Sequence, residues 1–307
     1  MSDSLELSLP VACGSLAGSK AAAYFELTKP RIGAMVLVAT AVGFFLALPS
    51  AWDLRTAATL LITILGTGLV AGGANAINQC LEIETDRRMI RTADRPLPTG
   101  RLSLGEGALF AVAAAVAGVS LLAVLVNGLC AALAAATFLI YAFLYTPLKT
   151  RTSLCVLVGA IPGALPPVIG WAAARGSVDV GAWLLFGIIF FWQFPHVAAI
   201  AWQYREDYAR AGCPLLPVID VDGSRTRLHV VTHTVGLIAA SVLPAIGGLV
   251  GPVYAISAMI LGVAFLVSGM IFVTRRTTHA ARAHVLASVA YLPLLLGLMM
   301  LDKSPVG

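Results

Sequence analysis

Charged side chains are scarce in this chain of 307 residues: they form 11% of it, against 59% hydrophobic, and the mean hydropathy is +0.91. A soluble domain needs a polar exterior, so this scarcity excludes one. Cysteine is sparse too. Cys13, Cys80, Cys130, Cys155 and Cys213 are odd in number and contain no C-x-x-C pair, which argues against a disulfide framework or a zinc site. No G-x-x-x-x-G-K-[ST], H-E-x-x-H or G-x-S-x-G occurs, so the common nucleotide, zinc-protease and hydrolase signatures are absent. The first 20 residues carry Asp3 and Glu6 and no basic stretch, unlike a cleavable signal or a mitochondrial transit peptide. The expectation is a short disordered tail over residues 1–24, then a single transmembrane domain over 25–302.

What the chain has instead is long apolar runs, several exceeding the roughly 20 residues that cross a bilayer. Nine candidate spans can be read, at about 32–50, 57–77, 106–126, 129–146, 154–174, 180–203, 229–249, 253–274 and 284–301. The fold class is therefore all-α integral membrane. With nine spans, only Arg55, Arg175 and Lys303 of the 20 lysines and arginines fall on one side. Positive charge marks the cytoplasmic side, so the N-terminus is expected in the cytoplasm. The net charge of +5 then reflects topology, and no nucleic-acid partner is inferred from it. The fifth span carries Pro162, Pro166 and Pro167, with Gly159, Gly163 and Gly170 between and around them. A lipid-facing helix would be disrupted by three prolines, so this span either lines a cavity or packs closely on a neighbour.

Two cytoplasmic loops are long, about 78–105 and 204–228, and hold eight of the 15 acidic residues. Entering the first, Asn78, Glu82 and Asp86 recur at four-residue spacing, which on a helix forms one oxygen-bearing stripe. Asn75 lies one turn earlier, inside the apolar run, where a polar group needs a partner. Glu84 falls off the stripe. Carboxylates beside Arg87, Arg88, Arg91 and Arg95 suit a hard divalent cation holding a phosphate, although a solvated helix end would look similar. In the sixth span, Trp192, Gln193 and His196 surround Pro195, and Arg205, Glu206 and Asp207 emerge beyond it. Tyr145 and Lys149 end the fourth span, and Lys29-Pro30-Arg31 enters the first. Each lysine reads equally as a topology signal or as a point charge for a diphosphate. The residues alone leave open a transporter with a cytoplasmic cation gate.

The run NAINQCLEIETDRRMIRTADRPLPTG at 75–100 resembles the first aspartate-rich motif of the UbiA superfamily of intramembrane prenyltransferases. Within it, LTKPRI at 27–32, M-x-R-T-x-x-R-P at 89–96, YTPLK at 145–149, GALPPVIGWAA at 163–173, WQFPH at 192–196 and REDYARAGCPLLPV at 205–218 are similar to the branch that prenylates haem. The resemblance covers about residues 25–300. It implies nine helices around a central cavity open to lipid, capped by the two long cytoplasmic loops, in the bacterial inner membrane. It also implies the reaction: farnesyl diphosphate gives its farnesyl group to a vinyl group of haem B, water adds, and haem O and diphosphate leave. A quinone precursor is the alternative acceptor. Membrane lipid, and haem A synthase or other oxidase assembly factors, are the partners this implies.

Carried over residue by residue, Asn78, Glu82 and Asp86 would hold Mg²⁺ on the diphosphate, with Asp207 and Glu206 in the place of the second acidic motif. That motif elsewhere reads D-x-x-x-D, whereas Ala211 stands four residues after Asp207. Many relatives also have aspartate where this chain has Glu82. The metal therefore falls mainly to the first motif. Lys149, Arg91, Arg31 and Arg205 are the expected phosphate-binding cations. Tyr145 and Trp192 would stabilise an allylic cation through their π faces. His196 would ligate or orient the haem iron, or else bond a propionate or a neighbouring helix.

Overall fold

The computed structural model describes residues 19–48 and 52–304; most of the tail expected over 1–24 lies outside them, but residues 20–24 are helical. In chain order the helices are α1 Lys20–Leu27, α2 Pro30–Ala47, α3 Leu54–Leu81, α4 Ile83–Arg88, α5 Leu104–Leu125 and α6 Gly128–Leu139. A π-helical segment, Ile140–Tyr145, leads into α7 Thr146–Leu148, followed by α8 Cys155–Ala164, α9 Pro166–Arg175 and α10 Val180–Gln203. The remainder are α11 Arg205–Arg210, α12 Leu216–Ile219, α13 Ser224–Ile246, α14 Pro252–Arg275 and α15 Thr278–Leu301. Among the described residues, nine helical runs are long and apolar enough to cross a membrane. Spans seven and nine begin five and six residues before the expected positions, at Ser224 and Thr278, because the helices continue past the apolar run.

Local chemistry sets the breaks. Ser19 caps α1, where the Ala22 N–H donates to its hydroxyl, and Ala23 and Leu27 anchor that helix against α3 and the first long loop. Asn127 separates spans three and four. Its Oδ1 accepts from the Cys130 N–H at 2.8 Å, capping α6, while its Nδ2 donates to the Ala172 carbonyl at 3.0 Å. Leu165 divides the fifth span into α8 and α9, since Pro166 and Pro167 bring no N–H groups to continue α8.

Helices adjacent in sequence pack side by side, and α15 returns to α2. The fifth span is the most deeply buried of the nine. It reaches α2 through close backbone approach: a Cβ at Gly170 would lie 1.9 Å from the Thr40 carbonyl oxygen, and one at Gly43 2.0 Å from that of Pro167. Arg175 and Lys303, two of the cations on the sparsely charged side, cap α2 there. Arg175 Nε donates to the Ala47 carbonyl at 2.8 Å, and Lys303 Nζ to those of Phe45 and Leu48 at 2.7 Å. Cations suit a helix C-terminus, whose last carbonyls lack partners. At the opposite, basic end the two long loops pack on each other through Met89, Tyr208, Cys213 and Leu215.

Candidate active site

The expected uninterrupted helix over the acidic stripe has a joint in it. Glu82 caps α3 with φ −104° and ψ 12°, and α4 restarts at Ile83. Hydrogen bonds cross the joint, from Glu82 N–H to the Asn78 carbonyl (3.0 Å) and from Asp86 N–H to the Glu82 carbonyl (2.7 Å), so the four-residue register survives. Asn78, Glu82 and Asp86 are buried, at 2%, 4% and 0% exposure. Glu84 turns outward and pairs with Arg87.

Each oxygen-bearing side chain of the stripe meets a cation of the chain. Lys29 Nζ donates to Asn78 Oδ1 at 2.8 Å, and Asn78 Nδ2 donates to Thr146 Oγ1 at 3.0 Å. Lys149 Nζ donates to both oxygens of Glu82 at 2.9 Å. Arg95 Nη1 reaches both oxygens of Asp86 at 2.8 and 2.7 Å, and the Thr92 hydroxyl donates to the Asp86 carbonyl. Burial pushes the Glu82 carboxyl up, but Lys149 and Lys29 outweigh it and hold it below the usual range. Burial alone would lower Lys149; Glu82 reverses that and raises it. Lys29 is pushed down to about 7, first by burial and then by Arg95, against the pull of Glu82. Its backbone is left-handed (φ 51°, ψ 64°) just before Pro30, an uncommon state for a residue with a Cβ. That turn brings Lys29 to the site. Arg31, the expected contact, is exposed, and among the described residues no hydrogen bond or ion pair ties it to the site.

Lys149 owes its position to the π-helical segment. Pro147 offers no N–H to the Phe143 carbonyl and would crowd it in a regular helix. The wider turn over Ile140–Tyr145 relieves that crowding, and such insertions recur at functional sites. The Thr146 hydroxyl then donates to the Tyr141 carbonyl at 2.8 Å while accepting from Asn78. Tyr141 and Tyr145 stack at 5.2 Å between ring centroids.

Next to this cluster lies a cavity of about 310 Å³ lined by Asn75, Tyr141, Tyr145, Gln193 and small residues of α8. Its walls are mostly apolar. Asn75 Nδ2 is satisfied by the Thr28 carbonyl at 2.9 Å, and Gln193 Nε2 by those of Ala160 (3.0 Å) and Ile189 (3.1 Å). Ile32, at the rim, is 56% exposed. Gly163 leaves room for Gln193, whose Oε1 lies 2.0 Å from where a Cβ would stand.

The second acidic segment adjoins the first through backbone. Asp207, on α11, accepts the Arg91 N–H at 3.3 Å and pairs with Arg210. The Arg91 guanidinium lies over the Tyr204 ring at 4.8 Å and near the Tyr208 hydroxyl. Arg205 is exposed above Trp202, and Glu206 is exposed as well. Both line a shallow depression at the basic end, shared with Arg91 and Asp207. Among the described residues, no three carboxylate, imidazole or thiolate groups converge for a metal; the acids are held by lysines and arginines instead. The oxygen-only set of Asn78, Glu82 and Asp86 still has the chemistry a hard cation needs.

Trp192 and His196 do not line the cavity. Their side of α10 meets α15, where Trp192 Nε1 donates to the Ser288 carbonyl at 2.9 Å and His196 Nδ1 lies 2.6 Å from Ser288 Oγ. The chemistry-bearing groups that the sequence underrated are Lys29, Thr146 and Gln193, and Tyr141 beside the cavity was missed. Their signals were a lysine before a helix-opening proline, and polar side chains inside apolar runs.

A model of the UbiA prenyltransferase family matches residues 36–292. The chain belongs to that family. Among its relatives, a protein of Solibacter usitatus (strain Ellin6076) named protoheme IX farnesyltransferase is 49% identical over 286 residues, 91% of this chain and 98% of the relative. One of the same name from Koribacter versatilis (strain Ellin345) is 42% identical over 288 residues, 92% and 93% of the two. Two solved structures share the fold. One, of digeranylgeranylglyceryl phosphate synthase, gives a TM-score of 0.77 at 18% identity over 93% of this chain and 99% of the other. The other, a UbiA homologue from Archaeoglobus fulgidus bound to GPP and Mg²⁺, gives 0.62 at 16% identity over 90% and 99%. The UbiA resemblance read from residues 75–100 is thus borne out, as are the all-helical membrane fold and the prenyltransferase class.

Proposed function

We propose that this UbiA-family enzyme transfers the farnesyl group of farnesyl diphosphate to a vinyl group of haem B, with addition of water, giving haem O and diphosphate. The observation that carries the donor half is the row Asn78–Glu82–Asp86, interleaved with Lys29, Lys149 and Arg95 beside a mostly apolar cavity. The acceptor half follows from the relatives named above, and this sets haem B ahead of a quinone precursor. On this reading the site faces the cytoplasm of a bacterium, across its inner membrane, on the side of the basic loops.

The donor lies with its diphosphate at the acid–base row and its chain in the cavity. Asn78, Glu82 and Asp86 would hold Mg²⁺, with Asp207 contributing from the second segment, and the ion when bound neutralises diphosphate charge as a Lewis acid. Lys149, Lys29 and Arg95 then turn from the acids to the phosphate oxygens. As the C1–O bond breaks, they stabilise the charge that develops on the leaving diphosphate. The π faces of Tyr141 and Tyr145 stand beside the allylic carbon and favour its positive charge. The apolar wall keeps water from that carbon until the vinyl group attacks it. The new C–C bond leaves the positive charge on the vinyl carbon next to the porphyrin, where water adds and loses a proton. Arg91 steadies the joint between the two acidic segments, and Arg205 with Glu206 lines the approach from the aqueous side.

Purified protein given haem B, farnesyl diphosphate and Mg²⁺ should yield a haem heavier by one farnesyl group and one hydroxyl group. Folded protein that forms no such product under these conditions refutes the reading.

A further inference from the structure

α10 presents three faces. Gln193 and Val197 line the prenyl cavity, Trp192 and His196 meet α15, and Phe194, Val197, Ala198 and Ala201 form the floor of a second space of about 320 Å³. Its walls are Val156 and Leu157 of α8, Leu215, Leu216 and Pro217 at α12, and His229 and His233 of α13. Leu154 and Leu157, on its border, are 65% and 48% exposed, so it opens sideways toward lipid. Val156 and Val197 border both spaces. The volume lies at the lower end of ordinary ligand pockets, about 300–1,000 Å³.

Two imidazoles in a membrane-spanning wall call for a function. His233 Nδ1 lies 2.7 Å from the His229 carbonyl. A carbonyl only accepts, so Nδ1 carries the proton and Nε2 keeps its lone pair. The Thr232 hydroxyl, 3.4 Å from the same Nδ1, points its own proton at the Leu228 carbonyl and does not compete. One ring N–H tied to a backbone carbonyl with the other nitrogen bare is how metal-binding histidines are usually held. The His229 and Phe194 rings each lie 4.1 Å from that of His233, tilted by 46° and 43°, which holds the imidazole within an aromatic cluster. Arg225, His229 and His233 follow at four-residue spacing along α13, so a guanidinium marks the basic end of the same stripe.

We propose that this lateral groove is the acceptor site. A flat iron porphyrin enters from the lipid between α8 and α13, His233 Nε2 ligates its iron, Arg225 meets its propionates, and its vinyl edge reaches the prenyl cavity past Val156 and Val197. The inference rests on the reading of haem B as acceptor. It moves the iron ligand away from His196. That ring lines neither space; its Nδ1 lies 2.6 Å from Ser288 Oγ and it stacks on Trp192 at 4.6 Å within the seam with α15.

The test is haem B titrated into the full-length protein in lipid nanodiscs, followed by the Soret band, beside steady-state kinetics. Wild type should bind with a histidine-ligated spectrum. His233→Ala should weaken binding by about tenfold or more, the scale of perturbed metal ligation, and added imidazole should restore the spectrum. His196→Ala should keep the wild-type spectrum. Leu157→Trp, which fills the groove from its lipid-facing border, should raise KM for haem severalfold while leaving KM for farnesyl diphosphate unchanged. Wild-type haem affinity and spectrum in His233→Ala, together with an unchanged haem KM in Leu157→Trp, would overturn the groove while haem O is still made. A wild type that makes no haem O would remove the acceptor reading and the groove with it.

Discussion

Replacing Lys149 by glutamine probes the acid–base row most directly. Lys149 Nζ lies 2.9 Å from Glu82, and the two side chains are only 12% and 5% exposed. At an effective dielectric of about 20, unit charges at that distance attract by about 6 kcal/mol before desolvation is counted. The substitution leaves Glu82 buried without its main partner, and stranding one member of a buried pair typically costs about 3–5 kcal/mol. Lys29 also favours the Glu82 charge, so a loss near the lower end, about 3 kcal/mol, is expected. Lys149→Gln with Glu82→Gln strands nothing and should recover most of that stability. Activity should not recover with it. The leaving diphosphate has lost a preorganised cation in both variants, which is worth about 100- to 1,000-fold in kcat. Thermal unfolding in detergent gives the stabilities, and haem O formation gives the turnover. If the two single losses simply add in the double variant, or if Lys149→Gln keeps kcat within threefold of wild type, the pairing has been misread.

Asp86→Asn should lower turnover by about 100-fold or more while expression is kept, whereas Glu84→Gln, already in solvent, should stay within a factor of two; equal losses would mean the stripe faces elsewhere. Chelating Mg²⁺ should end turnover yet leave the melting temperature nearly unchanged, because lysines and arginines already balance the acids in the free enzyme. A large melting shift on chelation would contradict that. Gly170→Ala forces a Cβ into the Thr40 carbonyl and should destabilise by about 1–3 kcal/mol, the usual scale of overpacking, seen as a lower melting temperature. Gly163→Ala pushes on the Gln193 side chain and should raise KM for farnesyl diphosphate more than it lowers stability.

Hydropathy made the nine spans legible because each must cover the thickness of a bilayer whatever its partners. The asparagine and acids of 78–86 were legible because a four-residue repeat survives any reasonable helix. The joint at Glu82 was not, since α4 starts in a segment with no glycine or proline to announce a break. Lys29 and Arg31 are two residues apart and chemically alike. Only the left-handed turn at Lys29 decides between them; Pro30 marks the start of a helix but not the turn that aims Lys29 at the site. The widened helix over Ile140–Tyr145 was hidden for the same reason, although Pro147 hinted at it. Trp192 and His196 were placed by their company in WQFPH, but neighbours along a helix point 100° apart, and the cavity took Gln193 instead.

The pairing of every acid in the row with a lysine or arginine has a consequence for how the substrates arrive. Magnesium alone finds its oxygens already engaged, and a diphosphate alone finds its cations committed. On the proposed reading they exchange partners together, the metal taking the carboxylates as the phosphates take the freed side chains. Each ligand thereby raises the affinity for the other, and by linkage the effect is the same in both directions, typically about 1–3 kcal/mol. Occupancy of the site should follow the product of the two concentrations more than either one, and titrations of one ligand at fixed levels of the other would show it.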